Sequence, residues 1–114
     1  MNMVNIKQAI QKFIKERDWD KYHSPKNLVM ALTGEVGELN EIFQWLDEKE
    51  SYNLPKDVAQ HTEEEIADIA IYLLTLCMKY DIDLEKAILS KIKKNEKKYP
   101  VDNLPTKFKK YTEQ

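Results

Sequence analysis

The chain has 114 residues, of which 42% are hydrophobic and 33% charged, and a formal net charge of −2. That length suits one domain with one core, the hydrophobic content excludes intrinsic disorder, and the lack of a basic excess argues against nucleic acid as a partner. No apolar run approaches the roughly 18 residues of a membrane span. The N-terminal stretch MNMVNIKQAIQKF has neither an apolar block nor a small-residue cleavage site, and the single cysteine, Cys77, rules out an intrachain disulfide. The cytoplasm is therefore the expected compartment.

Two glycines and four prolines, with no sustained alternation of apolar and polar residues, leave almost no strand signal. The expected fold class is all-α, with four helices. The first spans Val4 to Arg17, where Ile6, Ala9, Ile10, Phe13 and Ile14 recur at i, i+3, i+4. Asp18 to His23 is a connector. Ser24 is placed as an N-cap and Pro25 as a first-turn residue, opening a helix that runs to about Asp47. A polar loop around Pro55 precedes a third helix from about Thr62 to Tyr80. Asp83 caps a fourth, Leu84 to Lys98, which stops at Tyr99-Pro100. The domain is expected to cover 1–100, with a polar, basic tail over 101–114.

Projection at about 100° per residue exposes polar residues in apolar company. On the second helix, Leu28, Leu32, Val36, Leu39, Ile42, Phe43 and Leu46 form one arc. Glu35 falls inside it and Glu38 at its edge. A core-facing carboxylate costs several kcal/mol, roughly, without compensation, so either a buried basic partner or a cation is implied. Both glycines of the chain, Gly34 and Gly37, flank Glu35 in mid-helix, where each costs about 1 kcal/mol relative to Ala. Close helix packing or close approach of another group accounts for them.

The third helix inverts this pattern. Its polar residues gather on a narrow stripe, Glu65, Asp68, Tyr72, Thr75 and Lys79, and nearly everything else is apolar. Either the stripe faces water, with Thr62-x-x-Glu65 as a capping box, or it faces a site. An apolar arc so wide implies burial on several sides, as in an oligomer. Cys77 sits on the apolar face as a core thiol. On the fourth helix, Lys91 and Asn95 lie among Leu84, Ile88, Ile92 and Tyr99. Lys91 can snorkel, but Asn95 has no such escape.

Glu35-x-x-Glu38 and Glu65-x-x-Asp68 each place two carboxylates on one helix face. Two such charges about 4 Å apart repel by around 4 kcal/mol at an effective dielectric of 20, so convergence of all four requires a cation. All-oxygen ligation favours Mg²⁺ or Mn²⁺ over Zn²⁺, and neither His23 nor His61 stands at the Glu-x-x-His spacing of di-iron bundles. Mg²⁺ held by few carboxylates normally serves phosphate chemistry. Lys91 then meets phosphates as a point charge, and Trp19, Trp45 and Tyr72 supply faces for a base unless they are ordinary core aromatics.

Glu35-Val-Gly-Glu-Leu39 followed by Glu64-Glu-Ile-Ala-Asp68 resembles the signature of the MazG-like all-α nucleoside triphosphate pyrophosphohydrolases. Within that family, Glu16-Arg-Asp-Trp19, His23-Ser-Pro-Lys-Asn-Leu28, Phe43-Gln-Trp45, Ile71-Tyr-Leu73 and Ser90-Lys-Ile-Lys-Lys-Asn95 are similar to segments of the dCTP pyrophosphatase branch. The resemblance implies a homodimer or a homotetramer built as a dimer of dimers, with sites drawing on more than one subunit. It implies Mg²⁺-dependent cleavage between the α- and β-phosphates of a nucleoside triphosphate, dCTP or a modified dCTP being expected, with a pyrophosphohydrolase of other base specificity or a non-catalytic helical interaction protein as the alternatives. Glu35, Glu38, Glu65 and Asp68 are then metal ligands, Trp19 and Trp45 border the base, and Tyr72, Lys91 and Asn95 contact sugar and phosphates. Glu38 is the expected general base, with Glu64 as the next candidate, and Lys91 offsets charge on the transferring group.

Overall fold

The computed structural model describes residues 1–101. The described residues are helical, with no strand: α1 is Met3–Glu16, α2 Pro25–Phe43, α3 Glu48–Ser51, α4 Lys56–Lys79 and α5 Leu84–Lys98, and a 3-10 turn covers Asp20–Tyr22. From residue 102 on, the expected tail lies outside the described residues. None of the described helices is long and apolar enough to cross a membrane.

The four long helices match expectation, and local chemistry explains where their ends differ. The side chain of Asn2 accepts from the Asn5 N–H at the start of α1, and Ser24 does the same for Asn27 at the start of α2, with Pro25 in its first turn. Each satisfies a donor that the first helical turn leaves open. α2 ends at Phe43 rather than near Asp47. Asp47 instead opens the one-turn α3 through a reciprocal capping box with Glu50, a D-x-x-E pattern within the polar loop. α4 begins at Lys56, a turn and a half before Thr62, because Pro55 serves as its N-cap. Thr62 is therefore interior, and its hydroxyl donates to the Val58 carbonyl, so the capping-box reading of Thr62-x-x-Glu65 does not hold.

The turn after α1 positions more than the chain path. Asp18 adopts φ 52°, the left-handed conformation that a short polar side chain tolerates. The Trp19 N–H reaches the Ile14 carbonyl at 3.1 Å, and the Asp18 N–H reaches Lys15 at 3.1 Å. This is a Schellman closure with Asp in the place glycine usually takes. It folds Trp19 back over the last turn of α1, where its ring meets Phe13 edge-on at 5.5 Å.

The chain divides into two compact units, Met1–Asp81 and Ile82–Gln114. In the first, α4 packs against both α2 and α1. Ile10, Leu28, Leu74 and Cys77 are its buried apolar side chains, and Leu28 is only 1% exposed. Truncating Leu28 to Ala would remove about 2–5 kcal/mol, the usual range for a core leucine. Two residues of the polar stripe of α4, Glu65 and Thr75, are buried, whereas Asp68 is exposed and the apolar Ile66 is 54% exposed. In the second unit, Asp83 caps α5 by accepting from the Lys86 N–H, and Lys97 and Lys98 occupy its last turn, where positive charge suits the helix dipole.

Candidate active site

α2 and α4 pack with their misplaced carboxylates toward each other. Glu35 and Glu38 of α2 and Glu65 of α4 bring carboxylate oxygens within 4.8 Å of one another. At that separation two full charges repel by about 3–4 kcal/mol at an effective dielectric of 20. Without a cation, the cluster relieves the repulsion by keeping a proton. The Glu35 carboxyl is pushed up to about 7, first by its hydrogen bond with Glu65, then by burial and by the charges of Glu38, Glu65 and Asp68. Glu65 is held below its ordinary value, chiefly by the hydrogen bond from Glu35, with burial opposing. The two behave as a pair sharing one proton.

One oxygen of each partner, Oε2 of Glu35 and Oε2 of Glu65, is buried without a hydrogen-bond partner. Buried polar atoms are rarely left unsatisfied. Orphaned carboxylate oxygens beside a third carboxylate form a donor set that fits a hard divalent cation. Asp68, exposed one turn after Glu65, stands outside the three-carboxylate group, although its charge reaches Glu35.

Beside the cluster opens a cavity of about 410 Å³, within the ~300–1,000 Å³ typical of small-molecule sites. Glu35 and Asp68 form its acidic wall, Phe13 and Trp19 its aromatic wall, and Tyr72, Thr75 and His23 its other polar groups. The Thr75 hydroxyl donates to the Ile71 carbonyl at 2.7 Å. His23 Nδ1 is buried without a partner. The segment carrying Trp19 and His23 is tied at both ends. Lys79 of α4 pairs with Asp20 at 2.5 Å and keeps that carboxyl low, and Asn27 Nδ2 donates to the Tyr22 carbonyl at 3.0 Å.

Of the residues anticipated from sequence, the structure therefore joins Glu35, Glu38 and Glu65, and lines the adjoining cavity with Trp19, Asp68 and Tyr72. Trp45, 86% exposed just beyond α2, is not among the lining residues. Lys91 and Asn95 lie one turn apart on α5, in the second unit, both exposed. Glu64 is exposed and accepts from Gln60 Nε2 at 3.5 Å. His23, Thr75 and His61 were not singled out for the site. Thr75 stood on the polar stripe, and His61 is four residues before Glu65 on one helix face, so both left a signal. His23, in a connector, left no helical-face signal and entered only through the segment His23 to Leu28 that carries the family resemblance.

An all-α protein with converging carboxylates beside an aromatic-walled cavity is the class that fold and site define. The chain belongs to the MazG-like family, whose model matches residues 31–113. It is similar to dCTP pyrophosphatase 1 of Rattus norvegicus, 42% identical over 100 residues that cover 85% of this chain and 58% of the relative. It is also similar to dCTP pyrophosphatase 1 of Homo sapiens, 40% identical over 112 residues that cover 96% of this chain and 65% of the relative. The chain thus spans about three fifths of the length of the curated relatives it matches. Among solved structures, a pyrophosphatase from Archaeoglobus fulgidus DSM 4304 superposes with a TM-score of 0.82 at 42% identity, covering 86% of this chain and 92% of that one.

Proposed function

We propose that the protein is a nucleoside triphosphate pyrophosphohydrolase that takes dCTP or a modified dCTP and water to the monophosphate and pyrophosphate. The observation that carries this reading is the meeting of Glu35, Glu38 and Glu65 from two helices beside a cavity that shares Glu35 with the cluster. That layout suits a triphosphate, its base in an aromatic-walled pocket and its phosphates at a carboxylate-bound cation. The names of the relatives support the same chemistry and the same base.

Glu35, Glu38, Glu65 and Asp68 would hold Mg²⁺. Once bound, Mg²⁺ supplies charge neutralisation for the phosphate oxygens and the leaving pyrophosphate. The protein contributes position and electrostatics, as phosphoryl transfer demands. Trp19, backed by Phe13, would offer a face for the base, and Tyr72, which lines the same cavity, would contact the sugar. Glu38, exposed at the rim of the cluster, accepts the proton of the attacking water. Glu64 is the next candidate for that role. Lys91 and Asn95 are assigned by family resemblance to phosphate and sugar contacts, and Trp45 to the border of the base. Exposed Ile66 and Leu73 on α4 support self-association as a homodimer or homotetramer.

The test is incubation of the purified protein with each deoxynucleoside triphosphate and MgCl₂, with products resolved by anion exchange, alongside Glu35→Gln. Monophosphate plus pyrophosphate, formed only with metal and lost in the variant, is the expected result. Diphosphate plus phosphate would move the cut to the other bond and sink the reading. A preferred substrate other than a cytosine nucleotide would retain the reaction and change the base.

A further inference from the structure

His61 Nε2 lies 3.3 Å from Glu65 Oε1, with 56% of the His61 side chain exposed and only 8% of the Glu65 side chain. It is one turn before Glu65 on α4. Among the described residues of the first unit, His61 is the only basic side chain at ion-pair distance from the three clustered carboxylates. We propose that His61 is a positioning residue that holds Glu65 in the orientation needed to bind a divalent cation. The proposal rests on the reading of the acidic cluster as a metal site.

The physical reason is rotational. The terminal torsion of a glutamate is broad and roughly two-fold, so a carboxylate anchored by nothing swings between orientations. Contact at Oε1 restrains it and leaves Oε2, buried and without a partner, as the oxygen available to an ion. Groups that hydrogen-bond a ligating side chain pre-orient it, and losing one typically weakens metal affinity about 10–100-fold. The alternative is an incidental i, i+4 pair on a helix surface, contributing little to stability and nothing to the site. Burial of Glu65 separates the two cases. An incidental pair has both partners in water, whereas here an exposed donor reaches a buried acceptor within the cluster. Because the imidazole is largely exposed, its removal opens no core cavity, and the variant reports on the contact rather than on packing.

The experiment is titration of the full chain with Mn²⁺ alone, without nucleotide, by calorimetry, for the wild type, His61→Ala and His61→Gln. Thermal melts of the three metal-free proteins run in parallel. Gln retains a donor with i, i+4 reach and lacks the ring. The expected result is Mn²⁺ affinity about tenfold or more weaker in His61→Ala, at the low end of the outer-shell range. His61→Gln should lose clearly less than His61→Ala, with melting temperatures of all three proteins nearly unchanged. In turnover assays the His61→Ala loss should be recovered by raising the metal concentration, leaving the KM for the triphosphate unaltered. Equal Mn²⁺ affinity in His61→Ala and wild type would overturn the role of His61 and leave the metal site standing. Equal weakening in Ala and Gln would also overturn it, since the donor would then not be what matters. Wild-type protein that binds no Mn²⁺ would instead remove the metal reading itself.

Discussion

Glu35 of α2 and Glu65 of α4 meet across a helix–helix contact, and each keeps a buried Oε2 with no partner. They titrate in opposite directions because one proton serves both: Glu35 holds it up to about pH 7, and Glu65 accepts the hydrogen bond. A cation bound between them would take over the role of the shared proton in offsetting their repulsion.

The sign of the pH dependence follows. Glu35 has its folded pKa raised from 4.5 to about 7, so its contribution is fully present below the unfolded value and lost as pH rises through about 7. Glu65 has its folded pKa lowered from 4.5, so its contribution is present above that value and lost as pH falls through its lower one. The metal-free protein should therefore lose melting temperature as pH rises from about 4.5 to about 7 and level off above that. Added Mg²⁺ should abolish or reverse this loss by binding only the folded state. Melts across that range, with chelator or with Mg²⁺, decide the matter. A flat chelated profile would contradict the shared proton.

Replacing Glu35 by Gln substitutes a permanent neutral group for the shared proton. At about pH 8 the metal-free variant should melt a few degrees above wild type, as relief of about 1 kcal/mol of repulsion gives in a domain of this size. Its Mg²⁺-dependent turnover should fall at least about 100-fold, beyond the loss typical of an outer-shell partner. Calorimetric melts and product chromatography on one preparation read both. Higher stability without loss of turnover would take Glu35 out of the metal site.

Trp19 is held over α1 by the Schellman closure and by its edge contact with Phe13. Base stacking on an aromatic contributes about 1–3 kcal/mol, so Trp19→Ala should raise the KM for the triphosphate roughly 5- to 150-fold. Trp19→Phe should lose less, and Mn²⁺ binding without nucleotide should be unaffected in both. Steady-state kinetics against substrate concentration is the measurement. A fall in turnover at unchanged KM would place the ring at the chemistry instead of the base.

A Cβ built on Gly34 or Gly37 meets nothing within 4 Å in the chain itself. Glycine in mid-helix costs about 0.5–1 kcal/mol relative to alanine, so each Gly→Ala change should stabilise the protein by about that amount. Denaturant melts at two protein concentrations are the check. A loss of stability that shrinks on dilution would show that a second copy presses against this face.

The helices were legible because their cues are local. Ser24-Pro25 and Asp83 cap helices where expected, and apolar spacing identified α1, α2, α4 and α5. The capping box at Asp47 and the early start of α4 at Pro55 are just as local, but polar residues and a proline signal a loop and a helix start alike. Glu35 was legible for another reason. A carboxylate within an apolar arc is costly wherever the helix goes, so the anomaly is visible before the fold is known.

The direction of the α4 stripe was not legible. Glu65, Asp68, Tyr72, Thr75 and Lys79 share one face under any model, but whether that face meets water or a site depends on how α4 is rotated against α1 and α2. The same holds for His23 and Trp19, which reach one cavity only because Asp18 takes a left-handed turn and Lys79 pairs with Asp20. By itself, the sequence determined which residues are helical, which faces they share and which carboxylates are out of place, because backbone hydrogen bonding and the 3.6-residue period act over a few neighbouring positions. Only the tertiary structure decided that Glu35, Glu38 and Glu65 meet and that His61 stands behind Glu65. Distances between side chains on different helices depend on the rotation and crossing of those helices, which spacing along one chain does not encode.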